Sequence, residues 1–227
     1  MPAVTKYIFA LWGEDLAESL LDPELHARLA ALGLEHLQVN LDDAGVAEAK
    51  LRIATFDEPI RGVVSVWTSG DIAGVATALD EIAVSSAGWQ VEERRQLEPP
   101  ALADGQRADA LSNFAFLRQP EGMDREHWLD RWLVHHTPVA IETQATSGYI
   151  QNVVVAPLAS DTPHIDGIVE ELFPTAAITD IHAFYGSNGD NDELTRRLTA
   201  MLASTGTFGA HENLELVPTS RYLFDLG

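Results

Sequence analysis

Apolar and polar positions along this chain fall into one succession of short alternations and helical periods, and that succession occurs twice. The first pass has β-rich runs at residues 7–12 (YIFALW), 37–40 (LQVN) and 60–67 (IRGVVSVW), then a helical pattern at 71–83 and a closing strand at 89–97. The second has runs at 113–118 (NFAFLR), 150–153 (IQNV) and 165–172 (IDGIVEEL), a helical pattern at 192–203 and a closing strand at 214–224. Each of these helical patterns opens on an acidic N-cap candidate, Asp71 or Asp192. A further helix follows each first strand, at residues 15–32 with Pro23 interrupting it and at 124–136. Each half thus reads strand, helix, strand, strand, helix, strand, which is the ferredoxin-like order.

The division follows from the repeat. Residues 1–97 form one half and 112–227 the other, joined at 98–111 by a segment rich in proline, alanine and charge. Two helices cover one face of a ferredoxin-like sheet and leave the other bare, so the expected fold is α+β, with two ferredoxin-like repeats packed face to face.

Composition changes this picture mainly by exclusion. The 227 residues carry 14 basic and 35 acidic side chains, a formal net charge of -21, which disfavours nucleic acid and anionic membrane surfaces as partners. There is no cysteine, hence no disulfide, thiolate metal site or cysteine nucleophile. The N-terminal stretch at residues 1–16 has an apolar run too short for a signal sequence or membrane span, so a cytoplasmic protein is expected. No phosphate-binding glycine loop, dinucleotide fingerprint or nucleophile elbow occurs, and His127 and His135 are not spaced as metalloprotease ligands. The run SNGDND at 187–192 lacks the length and terminal glutamate of a calcium loop, and no metal site is expected.

Two places could carry chemistry. On a helical wheel of about 100° per residue, His136 shares the apolar face of Leu129, Trp132 and Leu133, whereas His135 turns away. Pro138 should end or kink the helix near His136, where the helix dipole favours the protonated ring and apolar burial the neutral one. His136 is then either a packed histidine bonded to a backbone carbonyl or a proton-transfer group. In the strand at 166–173, alternation sends Asp166, Ile168, Glu170 and Leu172 to one face and Gly167, Val169, Glu171 and Phe173 to the other. One of Glu170 and Glu171 must point inward unless the strand is an edge, and a buried carboxylate is a site candidate; Glu170 is taken as the partner of His136. His26, in an ordinary amphipathic helix, reads as solvent-facing or capping.

The run Trp132, His136, Pro138 resembles the tryptophan-x3-histidine-x-proline signature of the EthD family, and residues 149–152 (YIQN) and 166–173 (DGIVEELF) are similar to that family's second and third strands. The resemblance spans residues 112–225; the first half departs from it, with Leu25, His26 and Ala27 in place of the signature. It implies a dimeric α+β barrel formed within one chain. It further implies a cofactor-independent enzyme of proton-transfer, isomerase, decarboxylase or monooxygenase type, acting on a small apolar, aromatic or polyketide-like molecule. His136 and Glu170 would be catalytic, and Trp132, Tyr149, Asn152 and Asp166 would line a single pocket in the second half. A non-catalytic small-molecule carrier and a haem-binding barrel are the alternatives, and a homodimer of the whole chain is possible.

Overall fold

The computed structural model describes residues 4–227; residues 1–3 of the N-terminal stretch lie outside the described residues. Eight strands form the frame: β1 (Thr5–Trp12), β2 (His36–Leu41), β3 (Gly62–Thr68), β4 (Ser85–Leu97), β5 (Ala110–Leu117), β6 (Gly148–Pro157), β7 (Gly167–Pro174) and β8 (Glu215–Asp225). They close into one antiparallel barrel in the order β1-β3-β2-β8-β5-β7-β6-β4. This overturns the expectation of two ferredoxin-like sheets packed face to face. Among the described residues no pair of separate sheets exists, because the halves are hydrogen-bonded to each other along two seams, β2 with β8 and β4 with β6.

Strand length causes the closure. The second seam runs from Trp89 opposite Pro157 to Leu97 opposite Tyr149, so it uses almost the full length of β6 and the part of β4 from Trp89 onward. Bulges at Gln90/Val91 and Arg95/Leu97 add the bending that a closed barrel requires. The interdomain segment is not a free linker. It lies along β8, with Gly105 N–H donating to the Leu223 carbonyl, Ala108 N–H to the Arg221 carbonyl and Arg107 Nε to Ser220 Oγ.

Seven α-helices cover the outside: α1 (Leu16–Leu20), α2 (Pro23–Ala31), α3 (Ile72–Asp80), α4 (Arg125–Leu129), α5 (Thr137–Thr143), α6 (Ile181–Tyr185) and α7 (Asn191–Gly206). The Asp22, Asp71, Asp124, Asp180 and Asp190 side chains accept N-terminal backbone N–H groups of the helices they precede. Gly186, at φ 64, ends α6 in the left-handed conformation that glycine adopts without strain. His26 is buried, its Nε2 2.8 Å from the Leu20 carbonyl and its ring 4.2 Å from that of Phe224, so it caps α1 and does not face solvent.

Between α4 and α5 the chain forms a π-helix, Asp130–His136. Of the end or kink expected near His136, the helix shows no end: it runs on through Pro138, with a change from π to α geometry at Thr137. Proline lies in the first turn of α5, where its missing N–H matters least, and the wider π turn precedes it.

Strand residues that pack with helices face outward, and the alternate set faces the barrel axis. Phe9, Leu11, Leu37, Val39, Val64 and Val66 join the helices of the first half, while Leu111, Ala115, Tyr149, Val153, Val169 and Phe173 join those of the second. Inside the barrel, Ile8, Ala10, Val63, Trp89, Phe114, Phe116 and Ile168 form a cluster with no helical member. Among the described residues, no helix is long and apolar enough to cross a membrane.

Candidate functional site

The barrel axis carries an unusual load of polar groups at one end. Lys6 Nζ donates to Glu170 Oε1 at 2.5 Å and to Glu93 Oε1 at 2.8 Å. Gln38 Nε2 and Asn152 Nδ2 also donate to Glu170, at 2.9 and 3.0 Å, and Asn40 Nδ2 donates to Ser112 Oγ and Thr219 Oγ1. Glu170 is 1% exposed. Burial alone would raise its carboxyl pKa, but Lys6, Gln38 and Arg221 together hold it below the usual carboxylate value. It is thus a fixed anion in a satisfied network, a poor proton acceptor.

Its neighbour in sequence has the opposite surroundings. Glu171 points out of the barrel into the layer between the second-half sheet and its helices. Asn113 on β5 and Tyr149 on β6 are its cross-strand partners, so the three side chains form a row across the sheet with neighbouring Cβ atoms about 5 Å apart. Burial pushes the Glu171 carboxyl up to about 7, with no cation to counter it. It also raises the hydroxyls of Tyr149 and Tyr185, and the nearby Glu171 charge adds to both shifts, so both stay protonated near neutrality.

The same layer holds unsatisfied polar atoms. Asn113 is buried with neither its Nδ2 nor its Oδ1 hydrogen-bonded, and Trp132 Nε1 and Gln144 Oε1 are likewise without partners among the described residues. A buried polar group left unpaired costs about 1–3 kcal/mol, so such groups mark places where another molecule supplies the partner. Trp132 is brought to the row by the π-helix and by Gly167: a Cβ on Gly167 would come 2.4 Å from the Trp132 ring, so only glycine lets the indole approach the strand this closely. The Trp132 indole N–H and the Gln151 amide lie towards the Tyr149 hydroxyl and oppose the rise in its pKa, but the indole N–H makes no hydrogen bond to it.

The residues expected from sequence are distributed over both faces of the sheet. Trp132 and Tyr149 stand in the outer layer beside Glu171. Asn152 and Glu170 are in the barrel interior, and Asn152 Nδ2 also donates to the Ile168 carbonyl. Asp166 lies at the end of the sheet, accepting Gln119 N–H at 2.7 Å and Arg125 Nη1 at 2.9 Å, with His164 Nε2 3.0 Å away. His136 is 7% exposed in the helix layer, with Nδ1 2.9 Å from Ser204 Oγ on α7 and its ring 4.9 Å from Phe208. Burial depresses its pKa to about 4, so it is neutral at physiological pH. His136 and Glu170 are on opposite sides of the sheet, and the structure does not pair them.

Asn113, Glu171 and Tyr185 were not singled out by sequence reasoning as members of one site. The signal for Asn113 was present, since it is an amide on a strand face whose other members, Leu111, Ala115 and Leu117, are apolar. Tyr185 lies in the short helix α6, which the repeat pattern does not reveal.

Two open pockets flank the barrel. One, of about 910 Å³, lies by Trp12, Phe56, Ala87 and Leu158; the other, of about 680 Å³, lies by Gln38, Trp67, Arg95 and Arg221 at the polar end. His136 lines neither. Among the described residues, no group of three or more histidine and carboxylate side chains is placed to hold a metal ion.

No family model matches the chain, and no curated protein matches it in sequence. Solved structures do share its fold. An anthrone oxidase-like protein superposes with a TM-score of 0.59 at 11% identity, over 100% of this chain and 94% of that one. A "putative monooxygenase" from Lactobacillus acidophilus NCFM superposes with a TM-score of 0.53 at 10% identity, over 99% of this chain and 97% of the other. The likeness is one of α+β barrel architecture, and membership of the EthD family is not shown by it.

Proposed function

We propose that this chain is a cofactor-independent enzyme of the oxidase or monooxygenase type, acting on a small aromatic molecule with an acidic C–H group conjugated with a carbonyl. The observation that carries this reading is the row Asn113, Glu171, Tyr149 beneath Trp132: a carboxyl with a pKa near 7 next to buried donors that have no partner. A base is most effective when its pKa lies close to the working pH. The barrel fold shared with an anthrone oxidase-like protein supports the choice of substrate class.

In the proposed reaction, the Glu171 carboxylate removes a proton from the substrate CH₂ group, and the electron pair moves into an enolate. Asn113 Nδ2 and Trp132 Nε1 donate hydrogen bonds to the enolate oxygen, where the negative charge develops. Dioxygen is the oxidant. It adds at carbon, the protonated Glu171 returns its proton to the peroxide, and loss of water leaves a new carbonyl, so that CH₂ and O₂ become C=O and H₂O. The protonated tyrosines, the apolar helix layer and the neutral His136 keep bulk water and stray charge from the site.

The test is oxygen uptake with anthrone as probe, followed together with the absorbance of the anthraquinone formed. The intact protein should accelerate both above the spontaneous rate in metal-free buffer. Glu171→Gln should lower kcat by roughly 10²-fold or more, the usual loss for a general base, while leaving the fold intact. Saturable binding of anthrone without turnover would assign the chain as a carrier instead.

A further inference from the structure

The polar end of the barrel contains a buried cation that forms no ion pair among the described residues. Arg221 enters from β8 and is 5% exposed. Its Nη2 donates to Gln38 Oε1 at 3.1 Å, its Nε has no partner, and no carboxylate among the described residues lies within ion-pair distance of it. Lys6, the other buried cation of the barrel, is held by two carboxylates. Glu170 and Glu98 lie near enough to act on Arg221 through space, yet neither bonds to it, and Arg95 nearby adds like charge. Arg95 itself is taken up by Glu93 and Glu98.

Arg221 and Gln38 form the floor of the 680 Å³ pocket, which has the size of an ordinary small-ligand site. Its walls include the apolar side chains of Leu37, Trp67, Leu102 and Phe224, and its rim carries Glu35, Glu98, Asp104 and Asp225. The segment between the two halves supplies one wall, tied down along β8.

We propose that this pocket binds a small apolar monocarboxylate, an aryl or short alkyl acid, whose carboxylate takes the open edge of the Arg221 guanidinium. The planar fork of arginine matches a carboxylate in bidentate geometry, and a carboxylate supplies the bonded anion that Arg221 lacks among the described residues. The acidic rim sets the selectivity. A phosphate or polycarboxylate would bring surplus negative charge against four rim carboxylates, whereas a monocarboxylate buries its one charge below them and presents carbon to the walls. This site is apart from the Glu171 row, which lies on the other side of the sheet.

The experiment uses the intact chain and phenylacetate as probe, observing the Arg221 Nε–H resonance by nitrogen-15 NMR and binding by calorimetry. Phenylacetate should shift that resonance saturably with one-to-one stoichiometry. Phenylacetamide, its uncharged isostere, and the Arg221→Met variant with phenylacetate should each bind at least roughly tenfold more weakly. An unmoved Arg221 Nε–H at about 10 mM phenylacetate, well above the millimolar range of a weak site, overturns the proposal. So does equal affinity for the amide, or a shift produced by inorganic phosphate or citrate but not by phenylacetate. Because the resonance is read in the unsubstituted protein, the outcome stands even if Arg221→Met fails to fold.

Discussion

Glu171 and His136 are buried titratable groups without a compensating charge, and burial shifts them in opposite senses, to about 7 and about 4. In the folded protein Glu171 keeps its proton between its ordinary value of 4.5 and about 7, where the unfolded chain has released it. Its contribution to stability therefore falls as pH rises through that window, by roughly 3 kcal/mol in all. His136 is neutral in the folded protein between about 4 and its ordinary 6.5, where the unfolded chain is protonated. Its contribution rises with pH over that window by a similar amount, so the two slopes cancel between about pH 4.5 and 6.5. Glu171→Gln should separate them. Denaturant unfolding should show the variant about 3 kcal/mol more stable than the parent at pH 8 and nearly equal to it at pH 4, and a difference independent of pH would refute the assignment of the carboxyl as buried and uncompensated. The sequence made part of this readable. Alternation required Glu170 and Glu171 to face opposite ways, but which one faced the barrel depended on the layer each face met. The wheel likewise put His136 on a buried face, yet the i→i+5 spacing of the π segment turns each residue by less than 100° and leaves its ring against α7.

Elements show the same mixture of legible and hidden. Strand and helix order could be read because apolar period changes from two to about 3.6 are local. The start of β4 and the ends of β6 could not. The run at 150–153 continues as β6 to Pro157 through Val154, Val155 and Ala156, and it is this extension, paired with the β4 strand read at 89–97, that closes the barrel. The π-helix was equally hidden, since nothing in a wheel distinguishes it from an α-helix followed by a proline. Its position depends on how closely Trp132 approaches β7, and Gly167 permits that approach. Gly167→Ala should therefore force the indole off the strand, at a stability cost of about 1–3 kcal/mol as for other overpacked sites, and should change the near-UV circular dichroism of the tryptophans. Gly206→Ala is the control. A Cβ there would meet only His211 at 3.9 Å, and alanine in the last turn of α7 should be neutral or slightly stabilising. If both substitutions behave alike, the close approach at Gly167 is not what sets the helix against the sheet.

At the scale of the whole molecule, the two seams determine what each half can do alone. A first half without its partner exposes the edges of β2 and β4, and a second half exposes β6 and β8, each a row of backbone groups with no partner. The interior suffers as well. In the intact barrel the Glu170 carboxylate is held by Lys6 and Gln38 from the other half, and in an isolated second half only the Asn152 hydrogen bond and the through-space charge of Arg221 would remain to it. A buried carboxylate stripped of its cation is strongly destabilising, by about 3–5 kcal/mol, so that half has both an electrostatic and an edge-pairing reason to open or to recruit a second copy. Residues 1–105 and 106–227, expressed separately, should accordingly be poorly soluble or self-associated. Mixed during refolding, they should give a one-to-one complex that regains the near-UV circular dichroism of the intact chain. A Lys6→Met first half should complement less well than the parent half, because it returns the seam hydrogen bonds but not the charge opposite Glu170. Two soluble, monomeric, cooperatively folding halves on sedimentation analysis would show that barrel closure is dispensable, and would sink the argument that the seams hold the molecule together.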